Sequence, residues 1–464
     1  MLIHSFRLRV EDLHMKHELV DVAEPNLIRE QFPYDAVPRI IFDGEFEKPD
    51  PAPDFFITDT TFRDGQQARP PYTAGQIVAM FDMLHRLGGP NGIIRQTEFF
   101  LYSKTDREAV NRCLARGYEF PEVTGWIRAV KADFKIVKEM GLRETGILTS
   151  ASDYHIFNKL KKTRRAAMDD YLEIVNAALD AGLKIRCHLE DATRADFYGF
   201  IVPFVSKLKE LGDAAGIPVK IRVCDTLGFG VPYPGVALPR SVPKLILGLR
   251  RECGVQPEQL EWHGHNDFHK VLANATAAWL YGCMYANGTI LGYGERTGNP
   301  PLEGLVMDYV SLKGDANGMD LSVITEIAEY FEREAGYRIP ANYPFVGRDF
   351  NVTRAGIHAD GLLKDEEIYN VFDTAKILGR PPRVAVDKTS GVAGIAWWIN
   401  SYFGLARGAQ VEKRSSEVLE IAKWVDAQYD DGRTTSISDQ EMESQVRRHL
   451  PRLFGKGASE RLAG

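Results

Sequence analysis

Phe55-Phe56-Ile57-Thr58-Asp59-Thr60-Thr61-Phe62-Arg63-Asp64-Gly65 reads as a β-strand that opens into a polar loop. Its first half is apolar and β-prone, and its second half places a guanidinium and a carboxylate where the chain must turn. Seven more β-prone runs follow: Gly92 to Phe99, Glu122 to Trp126, Glu144 to Ser150, Leu183 to Glu190, Val219 to Asp225, Leu260 to His265 and Met284 to Leu291. Amphipathic helical patterns such as Thr73 to Leu87 and Met168 to Ala181 lie between them. Glycines stand where most of these helices should stop, at Gly88, Gly117, Gly141, Gly182, Gly216, Gly254 and Gly282, as left-handed caps. Eight strand-helix repeats within about 260 residues predict an α/β fold, a closed (β/α)8 TIM barrel.

The barrel sets the domain plan. Residues 1–52 form an N-terminal arm ending in Lys48-Pro49-Asp50-Pro51-Ala52-Pro53, a joint that stiffens rather than folds. The catalytic barrel takes 53–316, and 317–464 is a mostly helical C-terminal subdomain, with a helix candidate at Leu321 to Ala335 and a helical tail from Ser415 to Arg452. With 44% hydrophobic and 26% charged residues among 464, the chain can bury a large core and more than one domain. A formal net charge of -7 gives no reason to expect nucleic acid or an anionic membrane as partner. No run approaches a membrane span, and Met1-Leu2-Ile3-His4-Ser5-Phe6-Arg7 lacks a signal-peptide core. The five cysteines form no CxxC pair, which fits structural thiols in a reducing cytoplasm.

The chemistry lies in two segments far apart in sequence. Asp64 ends the first strand-loop unit, and His263-Gly264-His265 ends the seventh. Strand side chains alternate, so His263 and His265 point to one face. Catalytic groups of a barrel gather at the C-terminal ends of its strands, and only strand eight separates strand one from strand seven. One carboxylate and two imidazoles then make an open site for a divalent metal.

Several ordered motifs resemble one family. Thr60-Thr61-Phe62-Arg63-Asp64-Gly65-Gln66-Gln67, Glu190-Asp191-Ala192 with Arg194, Cys224-Asp225-Thr226-Leu227-Gly228, His263-Gly264-His265-Asn266-Asp267 and Gly292-Tyr293-Gly294-Glu295-Arg296-Thr297-Gly298-Asn299 are similar to those of the metal-dependent acyl-CoA condensing enzymes. That family includes the 2-isopropylmalate, homocitrate, citramalate and Re-face-specific citrate synthases, and the likeness covers roughly residues 55 to 400. The resemblance implies condensation of acetyl-CoA with a 2-oxo acid, then thioester hydrolysis. It implies Asp64, His263 and His265 as metal ligands, with Asn299 as a further ligand, and a Mn-type ion, with Co, Mg or Zn as alternatives. It also implies a homodimer, and places Gln67, Glu98 and Thr226 among the substrate-binding residues.

In such chemistry a chelated 2-oxo acid has its carbonyl polarised by the metal, and Arg63 beside it can steady the alkoxide that develops on attack. The acetyl methyl group must lose a proton, which needs a base tuned near neutrality. The resemblance points to His358, in Arg354-Ala355-Gly356-Ile357-His358-Ala359-Asp360-Gly361, acting from outside the barrel and from the same or a neighbouring subunit; Tyr369 or Tyr402 can assist. Glu190 is expected to aid proton transfer or orient Arg63.

For the acceptor, Arg186 and His188 lie two apart on strand five, so both are expected at the barrel mouth, where a second substrate carboxylate would need them. With Gln66-Gln67, Pro70-Pro71-Tyr72 and Phe372-Asp373-Thr374, the pattern is most similar to the citrate-forming branch, so oxaloacetate is the expected acceptor. Homocitrate and 2-isopropylmalate synthesis are the alternatives, with a hydroxymethylglutaryl-CoA-lyase-like retro-aldol reaction more remote. The charge run Lys159, Lys161, Lys162 and Arg164 reads as a solvated face. About 50 tail residues are fewer than the roughly 100 of a small regulatory domain, so leucine feedback is not expected.

Overall fold

A computed structural model describes residues 17–454. The chain divides into two compact units, Met1–Asp320 and Leu321–Gly464. The reading made on Met1 to Arg7 lies outside the described residues.

The first unit is a closed parallel barrel of eight strands: β1 Phe56–Asp59, β2 Ile94–Phe100, β3 Glu122–Ile127, β4 Glu144–Ser150, β5 Lys184–Glu190, β6 Lys220–Asp225, β7 Leu260–Gly264 and β8 Tyr285–Gly288. β1 pairs with β2 on one side and with β8 on the other, which closes the ring. Each expected run contains or overlaps one of these strands. The helix Ala74–Gly88 begins at Thr73, whose hydroxyl accepts from the Gln76 amide, while the Gln76 side chain answers from the other direction, a capping box. One expected cap moves by a residue. Gly88 is the last helical residue, and Gly89 carries the positive φ of 65°. A Cβ on Gly89 would come within 2.2 Å of the Gly318 carbonyl oxygen, so both backbone conformation and space demand glycine there.

The barrel interior departs from the usual stack of branched aliphatic layers. Glu98, Glu144 and Glu261 meet Arg186, Arg222 and Lys220 inside it, and all but Lys220 are buried. Arg222 Nε donates to Glu261 Oε2 at 2.8 Å, and Lys220 Nζ to Glu144 Oε2 at 2.8 Å. Such a lattice adds little net stability over an apolar core, but removing one member strands a charge at a cost of about 3–5 kcal/mol.

The arm is strapped along the outside of this unit. Tyr154 Oη donates to the Leu27 carbonyl at 2.7 Å, Gln31 Nε2 to the Leu238 carbonyl at 2.8 Å, and Lys244 reaches Asp43 at 2.6 Å. Its proline-rich end is held by backbone bonds from Asp50 and Ala52 to Leu280 and Trp279, delivering the chain to β1.

The second unit has its own core, in which Ile399, Val418, Ile421, Val425, Met442 and Val446 are buried among helices Gly391–Tyr402, Ser416–Asp430 and Asp439–His449. A short helix, Gly356–Lys364, carries His358. Among the described residues no helix is long and apolar enough to cross a membrane.

Candidate metal centre

Asp64 lies five residues past the end of β1, in a turn whose amide nitrogens at Arg63, Asp64 and Gly65 all point at the Thr60 carbonyl oxygen. That turn swings the carboxylate over the barrel mouth, where β7 delivers His263 and, one residue beyond its end, His265. Nε2 of each imidazole is 3.6 Å from Asp64 Oδ2. Donors about 2.1 Å from one ion sit roughly 3.0–3.4 Å from one another, so a small rotation brings all three onto one metal. The three groups are buried, and Asp64 Oδ2 has no hydrogen-bond partner among the described residues. Asn299 lies beside the set: its Nδ2 donates to the Gly264 carbonyl at 3.1 Å, and its Oδ1 is buried without a hydrogen-bond partner among the described residues. Orphaned oxygens of this kind are costly unless a cation takes them, and the donor set suits a divalent ion.

The protonation states agree. Burial pushes the Asp64 carboxyl upward, but the Arg63 guanidinium and both imidazoles outweigh it and hold the group below its ordinary value. Burial lowers His263 and His265 against the pull of Asp64, leaving both neutral with lone pairs to give.

A relay inside the barrel fixes which nitrogen of His263 faces Asp64. The Thr58 hydroxyl donates to the Glu261 carboxylate, so it can only accept from Asn287 Nδ2, 2.9 Å away. Asn287 Oδ1 therefore faces His263 Nδ1 at 2.7 Å, and the proton of His263 must sit on Nδ1. Nε2, 3.6 Å from Asp64 Oδ2, is left as the nitrogen whose lone pair could take a metal. Replacing Asn287 by alanine should weaken metal binding by about 10–100-fold, read by calorimetric titration with Mn2+. Unchanged affinity would remove Asn287 from that role.

Arg63 sits beside this centre. Its Nη1 donates to Asp64 Oδ1 at 3.2 Å and its Nε to Glu98 Oε2 at 2.8 Å, while its Nη2 edge carries no hydrogen bond among the described residues. The guanidinium carbon lies 5.9 Å from the centroid of Trp126, whose indole N–H is buried without a partner.

Other expected site residues are placed differently. Arg186 does not reach the mouth: third in the seven-residue β5, it is 1% exposed and bonded to Glu98, Gln96 and Thr124. His188 is also 1% exposed, and burial pushes it down to about 3, so it is a neutral interior group. Glu98 is 1% exposed and paired with Arg63, Arg186 and Arg222. Glu190 does not orient Arg63; it pairs with Lys159 at 2.9 Å, with His155 at 3.1 Å and with the Ser150 hydroxyl. Gln67 is exposed, whereas its neighbour Gln66 is the buried one, bonded to the Phe62 carbonyl and the Tyr72 amide. The Thr226 hydroxyl accepts from the Asp191 amide at 2.8 Å. Arg164, read as part of a solvated run, is fully buried between Asp153 and Asp196.

In the second unit, His358 is half-buried on its helix, with Nδ1 3.3 Å from the Thr353 hydroxyl and its ring 4.5 Å from that of Tyr369. Tyr402 has other neighbours, stacking on Trp398 and bonding Glu443.

The HMGL-like family matches residues 54–330, more than half of the chain. The chain belongs to the HMGL-like family. Within it, similarity extends well past the barrel. A Citrate (Re)-synthase of Syntrophus aciditrophicus is 59% identical over 95% of this chain and 70% of its own length. A Citrate (Re)-synthase of Clostridium kluyveri is 56% identical over 95% of this chain and 97% of its own length. A 2-phosphinomethylmalate synthase of Streptomyces hygroscopicus is 41% identical, covering 94% of this chain and 98% of the other. The 2-isopropylmalate and homocitrate synthases among its relatives are more distant, at about 30% identity. The family expected from the motifs is the family found.

Sequence reading missed Asn287, Thr58, Glu261 and Arg222. The signal was there in the strand period: Glu261 stands two before His263 and Arg222 two before Cys224, so each shares an inward face with a residue at the mouth.

Proposed function

We propose that the protein condenses acetyl-CoA with oxaloacetate and hydrolyses the resulting thioester, releasing citrate and CoA. The observation that carries this is near-full-length identity of 56–59% to two Citrate (Re)-synthases in a chain that also holds the buried Asp64, His263 and His265 cluster. Manganese is the favoured ion, held by Asp64, His263 and His265 with Asn299 beside them. When bound, the ion supplies Lewis-acid polarisation of the acceptor carbonyl.

The chain's own groups do the rest. Arg63 presents its Nη2 edge where negative charge grows on the acceptor oxygen as the acetyl carbon attacks, an interaction absent in the ground state. His358, of the same or a neighbouring subunit, takes the methyl proton from acetyl-CoA, with Tyr369 against its ring to limit its rotation. Arg186 and His188 are buried below the mouth, so the acceptor assignment rests on the relatives; the Trp126 indole N–H beside Arg63 is one donor available to the distal carboxylate. The five free, buried cysteines suit a cytoplasmic protein, and family likeness supports a homodimer.

The test is anaerobic release of CoA from acetyl-CoA by Mn-loaded protein, offered oxaloacetate, 2-oxoglutarate, 2-oxoisovalerate and pyruvate separately. Release with oxaloacetate and Re-face stereochemistry in the citrate are expected. Release with another acid alone would transfer the chain to that synthase.

A further inference from the structure

Arg63 approaches the metal centre from the charged lattice of the barrel interior, and the two meet at Glu98. Glu98 Oε2 accepts from Arg63 Nε at 2.8 Å, from Arg222 Nη1 at 2.9 Å and from the Thr60 hydroxyl at 3.2 Å. Oε1 accepts from Arg186 Nη2 at 2.9 Å and lies 3.3 Å from His188 Nε2. One carboxylate thus holds three guanidiniums, with 1% of its surface exposed. Room for it comes from Gly146 on β4, where a Cβ would stand 2.9 Å from Glu98 Oε1 and 2.5 Å from His188 Nε2. Burial alone would protonate Glu98, but Arg222, Arg63 and Arg186 keep it an anion well below the ordinary carboxylate range.

The geometry points to Glu98 as a positioning residue: its bond to Nε fixes the roll of the Arg63 guanidinium so that Nη2 faces the reacting carbonyl. The Nη1 bond to Asp64, at 3.2 Å, is a single point about which the flexible arginine can still turn. A second point at Nε defines the plane. Arg222 and Arg186 in turn pin Glu98, so the lattice beneath the site is a rigid mount for one side chain above it.

This rests on the role proposed for Arg63, and a double-mutant cycle tests it. Glu98→Gln should lower kcat by about 100-fold, the size of effect that a misplacement near 1 Å produces. KM for the acceptor should stay within about threefold, because the interaction lost belongs to the transition state. Mn2+ affinity by calorimetry should be unchanged. If Glu98 acts through Arg63, the Arg63→Ala/Glu98→Gln enzyme is no slower than Arg63→Ala alone. Additive losses, or a loss confined to KM, would overturn the assignment. Should Glu98→Gln not fold, the charge-balanced Glu98→Gln/Arg186→Gln enzyme enters the cycle under the same criterion. The cycle is run with whichever 2-oxo acid the wild type condenses, so an error in acceptor identity appears in the wild type and is separable from an error about Glu98.

Discussion

Asp64→Asn is expected to strip the protein of its metal and to slow CoA release by roughly a thousandfold or more. Asparagine keeps the size of the side chain but removes the one negative charge set against two neutral imidazoles. The oxygen facing His263 and His265, 3.6 Å from each, would become part of a neutral amide. Losing an anionic ligand removes several kcal/mol of carbonyl polarisation, and about 4 kcal/mol corresponds to roughly a thousandfold in rate. The measurement is manganese per chain after dialysis, alongside CoA release. A variant that keeps a full equivalent of metal and works within tenfold of wild type would end the assignment of Asp64 as a ligand.

His358→Gln should cost about a thousandfold in turnover, within the range of a general base, yet leave metal content and oxo-acid binding intact. Its helix lies in the second unit, where the ring rests against Tyr369 and near the Thr353 hydroxyl. Gly361, one turn on, lets this packing happen, since a Cβ there would come 2.5 Å from the Tyr369 ring. Glutamine preserves the polarity but cannot take a proton near neutral pH. The direct readout is exchange of the acetyl protons of acetyl-CoA into deuterated water in the presence of an unreactive oxo-acid analogue. Exchange as fast in the variant as in the wild type would place the base elsewhere.

The barrel was legible because its signals are periodic. β-prone runs, helical amphipathicity and glycine caps recur, so a misplaced cap such as Gly88 for Gly89 does not disturb the count. The candidate metal cluster was legible because two histidines at strand spacing and one carboxylate past a strand must converge once the barrel closes. Depth was not legible. Alternation shows that Arg186 and His188 face inward, but not that the third and fifth residues of β5 lie below the mouth, among carboxylates from β2, β4 and β7. Turns were not legible either: nothing in Gln66-Gln67 reveals that the first closes the loop and the second faces solvent. Glu190 misled for a related reason, since its partners Lys159 and His155 come from a helical turn after β4 with no periodic signature.

The charged barrel interior also constrains how the chain can change. In an aliphatic core, one methylene can be added or removed and the neighbours adjust. Here Glu98, Glu144 and Glu261 are shared among Arg63, Arg186, Arg222 and Lys220, so the loss of any one unbalances several others. Viable routes through sequence space must therefore pass by paired exchanges, acid with base, across neighbouring strands. Laboratory evolution toward another acceptor would find its single-step improvements above the charged layer, around the Phe100–Trp126 ring pair, and almost none within it.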